Sequence, residues 1–250
     1  MIDALAIVGE NLFGKSLDLD AHLARLAELN VAGAVVAPAR ARDYLFPPAN
    51  DRLATAVSGR ADVRWLARVD PNQGELAIDE LRRCASNGAA GVYLDPGEDV
   101  FRAIDASPIV AAAAALGLPI VIVAGVPLRA EPLQFDDLAR AVPDATIILT
   151  SGGQVNVSGL SMTDAWLALT RNPRLHVLSN GEYRQDYLER LANELDPRRL
   201  LFASMAPVHE AGFEVARIRS AAYGAAERAL IEHGNAARIF GLPKLPVLTG

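Results

Sequence analysis

The sequence has 250 residues, of which 51% are hydrophobic and 22% are charged. This balance is typical of a folded globular chain and excludes an intrinsically disordered one. The formal net charge of −6 argues against a nucleic-acid partner, because proteins that bind nucleic acids neutralise phosphates with Lys and Arg. The length suits one large α/β domain, and no change in composition divides the chain, so we expect a single domain over residues 1–250.

The cysteine content and the apolar runs limit where the protein acts. The one cysteine, Cys84, excludes an internal disulfide and a zinc site built on a cysteine pair. No apolar run reaches the roughly 18 residues that a membrane-spanning helix needs, and the N-terminus lacks the basic segment of a secretion signal. We therefore expect a cytoplasmic protein with no membrane partner.

The first half of the chain alternates short apolar runs with amphipathic segments. Ile2–Glu10 is predicted to be a buried strand, followed by a loop and a helix over Leu19–Asn30, which Asp18 would cap. The next predicted elements are a strand at Val31–Pro38, a helix at Asp51–Ser58, a strand at Val63–Val69, a helix at Glu75–Ser86, a strand at Ala90–Leu94 and a helix at Ile109–Leu116.

The second half continues the same alternation. Its predicted elements are a strand at Pro119–Val123, a helix at Phe135–Val142, a strand at Thr146–Thr150, a helix at Asp164–Arg171, a strand at Leu175–Leu178, a helix at Tyr187–Leu195, a strand at Leu200–Ala203 and helices at Phe213–Tyr223 and Asn235–Phe240. Eight strands that alternate with helices predict an α/β protein with a single (β/α)₈ TIM barrel. A doubly wound open sheet is the alternative, but it would need fewer strands or a second domain.

Several motifs at the predicted strand ends resemble one enzyme family. They are Ile2-Asp3-Ala4, Ala67-Arg68-Val69-Asp70-Pro71, Gly91-Val92-Tyr93-Leu94-Asp95-Pro96, Arg199–Ser204 and the closing segment Gly234–Leu242. With these motifs in this order, the chain resembles the amidohydrolase-related family. This branch of the metal-dependent amidohydrolases includes decarboxylases of the aminocarboxymuconate-semialdehyde type and lactone hydrolases. The resemblance implies a TIM barrel whose active site lies at the C-terminal ends of the strands.

The same resemblance shows where this chain departs from the family. The family carries a His-x-His pair in the first strand, three further histidines at later strands and a catalytic aspartate after the eighth strand. The residues at these positions are Leu5 and Ile7 for the pair, Asp95, Val123 and Ser151 for the further histidines, and Met205 for the aspartate. Zn²⁺ or Mn²⁺ needs three or four N, O or S ligands, so we expect the metal chemistry to be lost and no cofactor to be bound.

Three residues could still support catalysis without a metal. Asp95 could act as a general base at the end of the fourth strand, although Asp-Pro is also an ordinary turn pair. Ser151, in Ser-Gly-Gly, could lie beside free backbone N–H groups in an oxyanion-binding arrangement, although a glycine-rich turn is the plainer interpretation. His209, in the loop after the eighth strand, is the histidine that could serve Ser151 as a base, but the sequence does not fix that pairing.

A second set of residues could bind a small acidic ligand at the same face of the barrel. These residues are Arg68, Tyr93, Arg129, Glu182 and Arg184. Arginine forks bind carboxylates and phosphates well, but all five could equally be loop or interface residues. His22 and His176 are interpreted as packing or surface positions, and His233-Gly234 as a helix stop before Asn235.

Three functions fit these observations. The first is a pseudoenzyme, an amidohydrolase-like subunit with a structural or regulatory role that forms a homo-oligomer or assembles with an active homologue. The alternative is a metal-independent hydrolase, lactonase or lyase that acts on a small carboxylate-bearing substrate. The third is a small-molecule-binding protein that keeps the pocket without the chemistry.

Overall fold

The computed structural model of the chain describes residues 1–12, 14–40, 42–43, 45–154 and 159–243. Its strands are β1 (Ile2–Glu10), β2 (Ser16–Leu17), β3 (Gly33–Pro38), β4 (Val63–Trp65), β5 (Ala67–Arg68), β6 (Val92–Leu94), β7 (Ile120–Ile122), β8 (Ile147–Leu149), β9 (Leu175–Leu178) and β10 (Leu200–Leu201). Its α-helices are α1 (Leu19–Glu28), α2 (Phe46–Val57), α3 (Glu75–Ser86), α4 (Ser107–Ala115), α5 (Pro132–Ala141), α6 (Gly159–Arg171), α7 (Gln185–Arg190), α8 (Ala211–Ser220), α9 (Ala225–Ala229) and α10 (Asn235–Phe240). None of the described helices is long and apolar enough to cross a membrane.

The strands close into a barrel of eight parallel positions. One sheet has the order β2-β1-β3-β4 and the other the order β10-β9-β8-β7-β6-β5, and only the short β2 runs antiparallel to its neighbour. β4 and β5 form one barrel position interrupted at Leu66, whose N–H still donates to the carbonyl of Val36 (2.8 Å). At the other seam the Met205 N–H donates to the carbonyl of Leu5 (2.7 Å). The two sheets are therefore joined on both sides, and the predicted (β/α)₈ barrel is confirmed.

One apolar cluster fills the inside of this barrel, and another packs around its outside. The larger cluster lies between the strands and the surrounding helices. The smaller one fills the barrel and takes a side chain from each strand position, among them Leu5, Val35, Leu66, Tyr93, Val121, Ile148, Leu178 and Leu201. α10 adds Phe240 to this inner cluster, and the Gly241 carbonyl after it accepts a hydrogen bond from Arg64 at the start of β4 (2.7 Å). α10 therefore closes the N-terminal end of the barrel, whose interior is packed as in other barrels of this type.

Several helix boundaries differ from the prediction, among them the start of α6, which is Gly159 and not Asp164. α2 begins at Phe46 and not at Asp51, because the two prolines in its first turn lack only N–H groups that have no helical partner there. α9 was not predicted, and it continues through a π-helical turn at Leu230–Gly234 directly into α10. The expected helix stop at Gly234 is therefore wrong, since Gly234 keeps helical backbone angles (φ −60°, ψ −38°).

Candidate functional site

The mouth of the barrel, at the C-terminal ends of the strands, is lined by apolar side chains where the resemblance places metal-binding or catalytic residues. Leu5, Ile7 and Met205 belong to the inner cluster, and Val123 packs against it. Leu5 is fully buried, and Ile7 and Met205 are 7% and 8% exposed. Leu5, Ile7 and Met205 are therefore part of the packed barrel interior, with Val123 at its edge.

Asp95 has its carboxylate occupied by its own turn and strand. Oδ1 accepts hydrogen bonds from the backbone N–H groups of Gly97 (2.9 Å) and Glu98 (3.0 Å). Oδ2 accepts one from the Tyr93 hydroxyl (3.1 Å). These contacts are those of a turn-capping aspartate, the plainer of the two interpretations of Asp-Pro.

Arg68 places a fully buried guanidinium at the mouth, in contact with two carboxylates. Its Nη2 donates to Glu98 Oε2 (2.8 Å) and Asp99 Oδ2 (3.0 Å), and its carbon Cζ lies 5.3 Å from the ring centroids of both Phe46 and Tyr93. The positive charge of Arg68, which the sequence predicts to bind a ligand, is paired with carboxylates of the protein itself. The polar groups of Arg68 and Tyr93 are thus in contact with carboxylates of the protein, and their ligand-binding role stays a prediction.

Asp99, which the sequence analysis did not single out, is the centre of this ion-pair cluster. Its side chain is fully buried and also pairs with Arg40, whose Nε lies 3.1 Å from Oδ1. Burial raises the pKa of Asp99 to about 6, although Arg68 and Arg40 act to lower it. Sequence alone gives no sign of this cluster, because its members come from the ends of three different barrel positions.

Among the described residues, the cavity at the centre of the mouth is small. A cavity of about 30 Å³ remains between Ile7, Tyr93, Asp95, Met205 and Pro207, together with their neighbours. One water molecule needs about 10–15 Å³ of such accessible volume, so this cavity has room for two or three waters.

The Ser151-Gly152-Gly153 motif forms a tight turn after β8. Ser151 and Gly152 both adopt positive φ angles (53° and 63°), and the Ser151 N–H faces Asn180 Oδ1 at 3.5 Å. The Tyr187 hydroxyl donates to the Gly152 carbonyl (3.1 Å). A Cβ on Gly152 would lie 3.0 Å from the Tyr187 ring and 3.3 Å from Glu182 Oε2, so this position requires glycine.

Glu182 is a buried carboxylate beside that turn, with 1% of its surface exposed. Its Oε1 accepts the Arg184 N–H (2.7 Å), whereas Oε2 has no hydrogen-bond partner within the part of the chain that the structure describes. Burial raises the pKa of Glu182 to about 7. The Arg184 guanidinium pairs with Asp186 (2.6 Å), so it does not neutralise Glu182 directly.

His209 lies against the backbone of the β9 loop. A Cβ on Gly181 would come within 2.6 Å of His209 Nε2, and burial lowers the pKa of His209, although Glu214 acts to raise it. Across residues 1–12, 14–40, 42–43, 45–154 and 159–243, no hydrogen bond joins His209 to Ser151 or Asp95. The structure does not bring the three predicted catalytic residues together, and their role remains a prediction.

Arg129 is the remaining residue of the predicted ligand-binding set. It lies in the loop after β7, and its carbonyl accepts the Ala103 N–H (2.7 Å). This bond ties the β7 loop to the segment that follows β6. It gives Arg129 a structural contact and leaves its predicted ligand-binding role as a prediction.

A second polar cluster that the sequence analysis missed joins the first and last strands. Asp3 is fully buried and accepts the N–H and the hydroxyl of Ser204 (2.7 and 2.5 Å). Its Oδ2 also lies 3.2 Å from Nε2 of His22 on α1. The cluster stabilises the seam of the barrel, and it confirms that His22 is a packing position.

Comparisons with known proteins are consistent with this architecture. A family model described as amidohydrolase matches residues 9–242, and no curated protein sequence matches the chain. The structure of 5-carboxyvanillate decarboxylase from Sphingomonas paucimobilis is similar with a TM-score of 0.79 at 16% identity, over 97% of this chain and 99% of that chain. The structure of 2,6-dihydroxybenzoate decarboxylase from Rhizobium is similar with a TM-score of 0.75 at 17% identity, over 97% and 99% of the two chains. A dihydroxybenzoic acid decarboxylase from a Polaromonas species, with bound manganese and the inhibitor 2-nitroresorcinol, gives 0.74 at 17% identity over 100% of both chains.

Proposed function

The chain belongs to the amidohydrolase family, and on that premise we propose that it is a catalytically degenerate member without the metal centre. In this proposal it acts as a structural or regulatory subunit. The observation that carries the proposal is the filled mouth of the barrel, where a cavity of about 30 Å³ remains. Pockets for small organic ligands have volumes of about 300–1,000 Å³, so the mouth is roughly ten times too small for an aromatic carboxylate.

The donor set at the mouth does not fit Zn²⁺ or Mn²⁺. Leu5, Ile7 and Val123 offer no ligand atom, and these ions prefer nitrogen, oxygen or thiolate ligands to the thioether of Met205. Within the described ranges, no group of three His, Cys, Asp or Glu side chains could hold a metal ion. The buried Arg68 guanidinium, close enough to Asp95 for their charges to interact, would also repel a divalent cation there.

Exposed apolar side chains support a role in assembly. The loops that follow the strands expose five large hydrophobic residues by 46% to 80%, namely Leu45, Val100, Leu128, Tyr183 and Val208. Phe213, in the first turn of α8, is 78% exposed. Single exposed hydrophobic residues are ordinary, but several around one face are typical of a protein interface. We propose that this face contacts a second copy of the chain or an active homologue of the same family.

Metal analysis tests the first part of this proposal. The full chain would be incubated with Mn²⁺ or Zn²⁺, desalted and analysed by mass spectrometry of its metal content. We expect far less than one equivalent of metal per chain. One equivalent that survives desalting would refute the metal-free assignment.

Light scattering tests the second part. We expect an oligomer, or a complex with a co-expressed active homologue, that Phe213→Ser weakens. The control is Leu116→Ser, which removes a side chain that is 44% exposed at the opposite end of the barrel and should leave assembly unchanged. A monomer that binds no such homologue would refute the assembly role.

One observation favours the alternative, a metal-independent hydrolase or lyase. Glu182 is buried, carries an unpaired Oε2 among the described residues and has a pKa raised to about 7 by burial, which suits a general base. If this alternative holds, the protein hydrolyses a lactone or ester in the presence of a chelator, and Glu182→Gln abolishes that activity. Equal rates for the native protein and the variant would refute it.

A further inference from the structure

A second, larger cavity lies at the N-terminal end of the barrel, opposite the filled mouth. Its volume is about 370 Å³, and it lies between the turns that precede β7, β8 and β9 and the end of α10. Its ionisable lining residues are Asp144, Arg174, His176 and Arg238. The volume falls within the range of about 300–1,000 Å³ that is usual for small-ligand sites.

The arginines at this cavity have no acidic partner within the described part of the chain. Arg174 donates to the Asp144 carbonyl (2.6 Å), and Arg238 donates to the Arg198 carbonyl (3.1 Å). Arg199, close to the cavity, also donates to carbonyl groups and not to a carboxylate. Backbone carbonyls orient a guanidinium without neutralising it, so these charges remain available to an anion.

His176 lies where these charges converge. The residue is 9% exposed, and its Nδ1 lies 3.1 Å from the Arg174 carbonyl oxygen. Its Nε2 has no hydrogen-bond partner among the residues that the structure describes. Burial, together with the charges of Arg199, Arg238 and Arg174, lowers the pKa of His176 to about 4, although the hydrogen bond with the Arg174 carbonyl acts to raise it. Among the described lining residues, Asp144 is the one acidic side chain, and it is exposed.

We propose that this cavity binds a small organic oxyanion, a phosphate ester or a carboxylate, between Arg174, Arg238 and the imidazole of His176. Guanidinium groups match the paired oxygens of such anions, and a bound negative charge would offset the field that now acts on His176. The site lies at the opposite end of the barrel from the predicted ligand-binding set. It does not depend on whether the mouth is active.

The test uses the full chain with inorganic phosphate and succinate as separate probes at constant ionic strength. The His176 imidazole is followed by NMR, and its signal is assigned by its absence in His176→Gln. We expect one probe to saturate the site and to raise the pKa of His176. Arg238→Gln should weaken binding about tenfold, since one charge-assisted contact is lost, and Asp144→Asn should tighten it. The probe that binds more tightly distinguishes a phosphate ester site from a carboxylate site.

A matched control distinguishes specific binding at this cavity from a general effect of removing one positive charge. Arg219→Gln alters another exposed helical arginine, whose guanidinium also donates to a backbone carbonyl, that of Leu29 (2.7 Å). This variant should bind the probe as the native protein does. The proposal is overturned if neither probe gives a saturable shift of His176 in the millimolar range, or if Arg219→Gln weakens binding as much as Arg238→Gln.

Discussion

Replacing Arg68 with methionine should destabilise the barrel mouth strongly. Arg68 is fully buried and donates three hydrogen bonds to the Asp99 carboxylate, with lengths from 3.0 to 3.3 Å. Methionine keeps the contact with the rings of Phe46 and Tyr93 but leaves the charge of Asp99 with Arg40 as its remaining partner. Breaking a buried ion pair on one side costs about 3–5 kcal/mol, and because Arg40 remains we expect about 3 kcal/mol.

The stability lost in Arg68→Met should also depend on pH, and the direction of this dependence follows from the pKa of Asp99. Its folded-state pKa is raised from 3.8 to about 6, so the native state binds more protons than the unfolded chain in that window. Stability therefore falls as the pH rises from about 4 to about 6. Arg68 acts to lower this pKa, so Arg68→Met should extend the fall to higher pH, and the cost should be larger at about pH 8 than at about pH 5.

Urea unfolding at the two pH values measures both effects. The double variant Arg68→Met/Asp99→Asn is the matched control, because it removes both charges of the pair and keeps an oxygen acceptor for Arg40, so it should recover part of the lost stability and remove the pH dependence. A cost below about 1 kcal/mol for Arg68→Met, which is the size of an exposed pair, would refute the reasoning. An equal cost at both pH values would also refute it.

Three further predictions concern single side chains. Burial raises the pKa of Glu182 from 4.5 to about 7, so ionisation of this buried carboxyl lowers the stability of the native protein as the pH rises between these values. Glu182→Gln should therefore raise the melting temperature relative to the native protein at about pH 8 but not at about pH 4. Gly152→Ala should cost about 1–3 kcal/mol in urea unfolding, because its Cβ meets the Tyr187 ring and its φ is positive. Gly59→Ala, which has a positive φ but no close contact, should cost less. Burial raises the pKa of the Cys84 thiol, so a disulfide reagent should label it only after the chain unfolds, and rapid labelling of the native protein would contradict its burial.

The barrel could be predicted from the sequence because its strands are local patterns. Each strand is a short apolar run between a turn and an amphipathic helix. The apolar side chains on the inner faces of β1, β6 and β9 pack against other apolar side chains and need no specific polar partner. Helix boundaries were less predictable where proline or a π-helical turn intervened, as at Phe46 and at Leu230–Gly234. In those cases the backbone pattern depends on tertiary packing more than on local propensity.

The polar clusters could not be predicted, because their members are distant in the chain. Asp3 and Ser204 are 201 residues apart, and Arg68 lies 31 residues from Asp99. A single sequence shows that such residues exist but not which of them meet. The motifs that contain Asp3, Arg68 and Ser204 were therefore noticed, while the contacts between these residues and their partners were not.

The same reasoning bears on how the barrel would remain stable under the proposed loss of the metal centre. Histidines gathered around a metal need that metal to offset their burial, whereas Leu5 and Ile7 gain roughly 2 kcal/mol each from leaving water. The Arg68 and Asp99 charges neutralise one another without any bound ion. A mouth built in this way would need no bound ligand in order to fold. Any remaining binding function would then be expected away from the mouth, as at the cationic cavity beside His176.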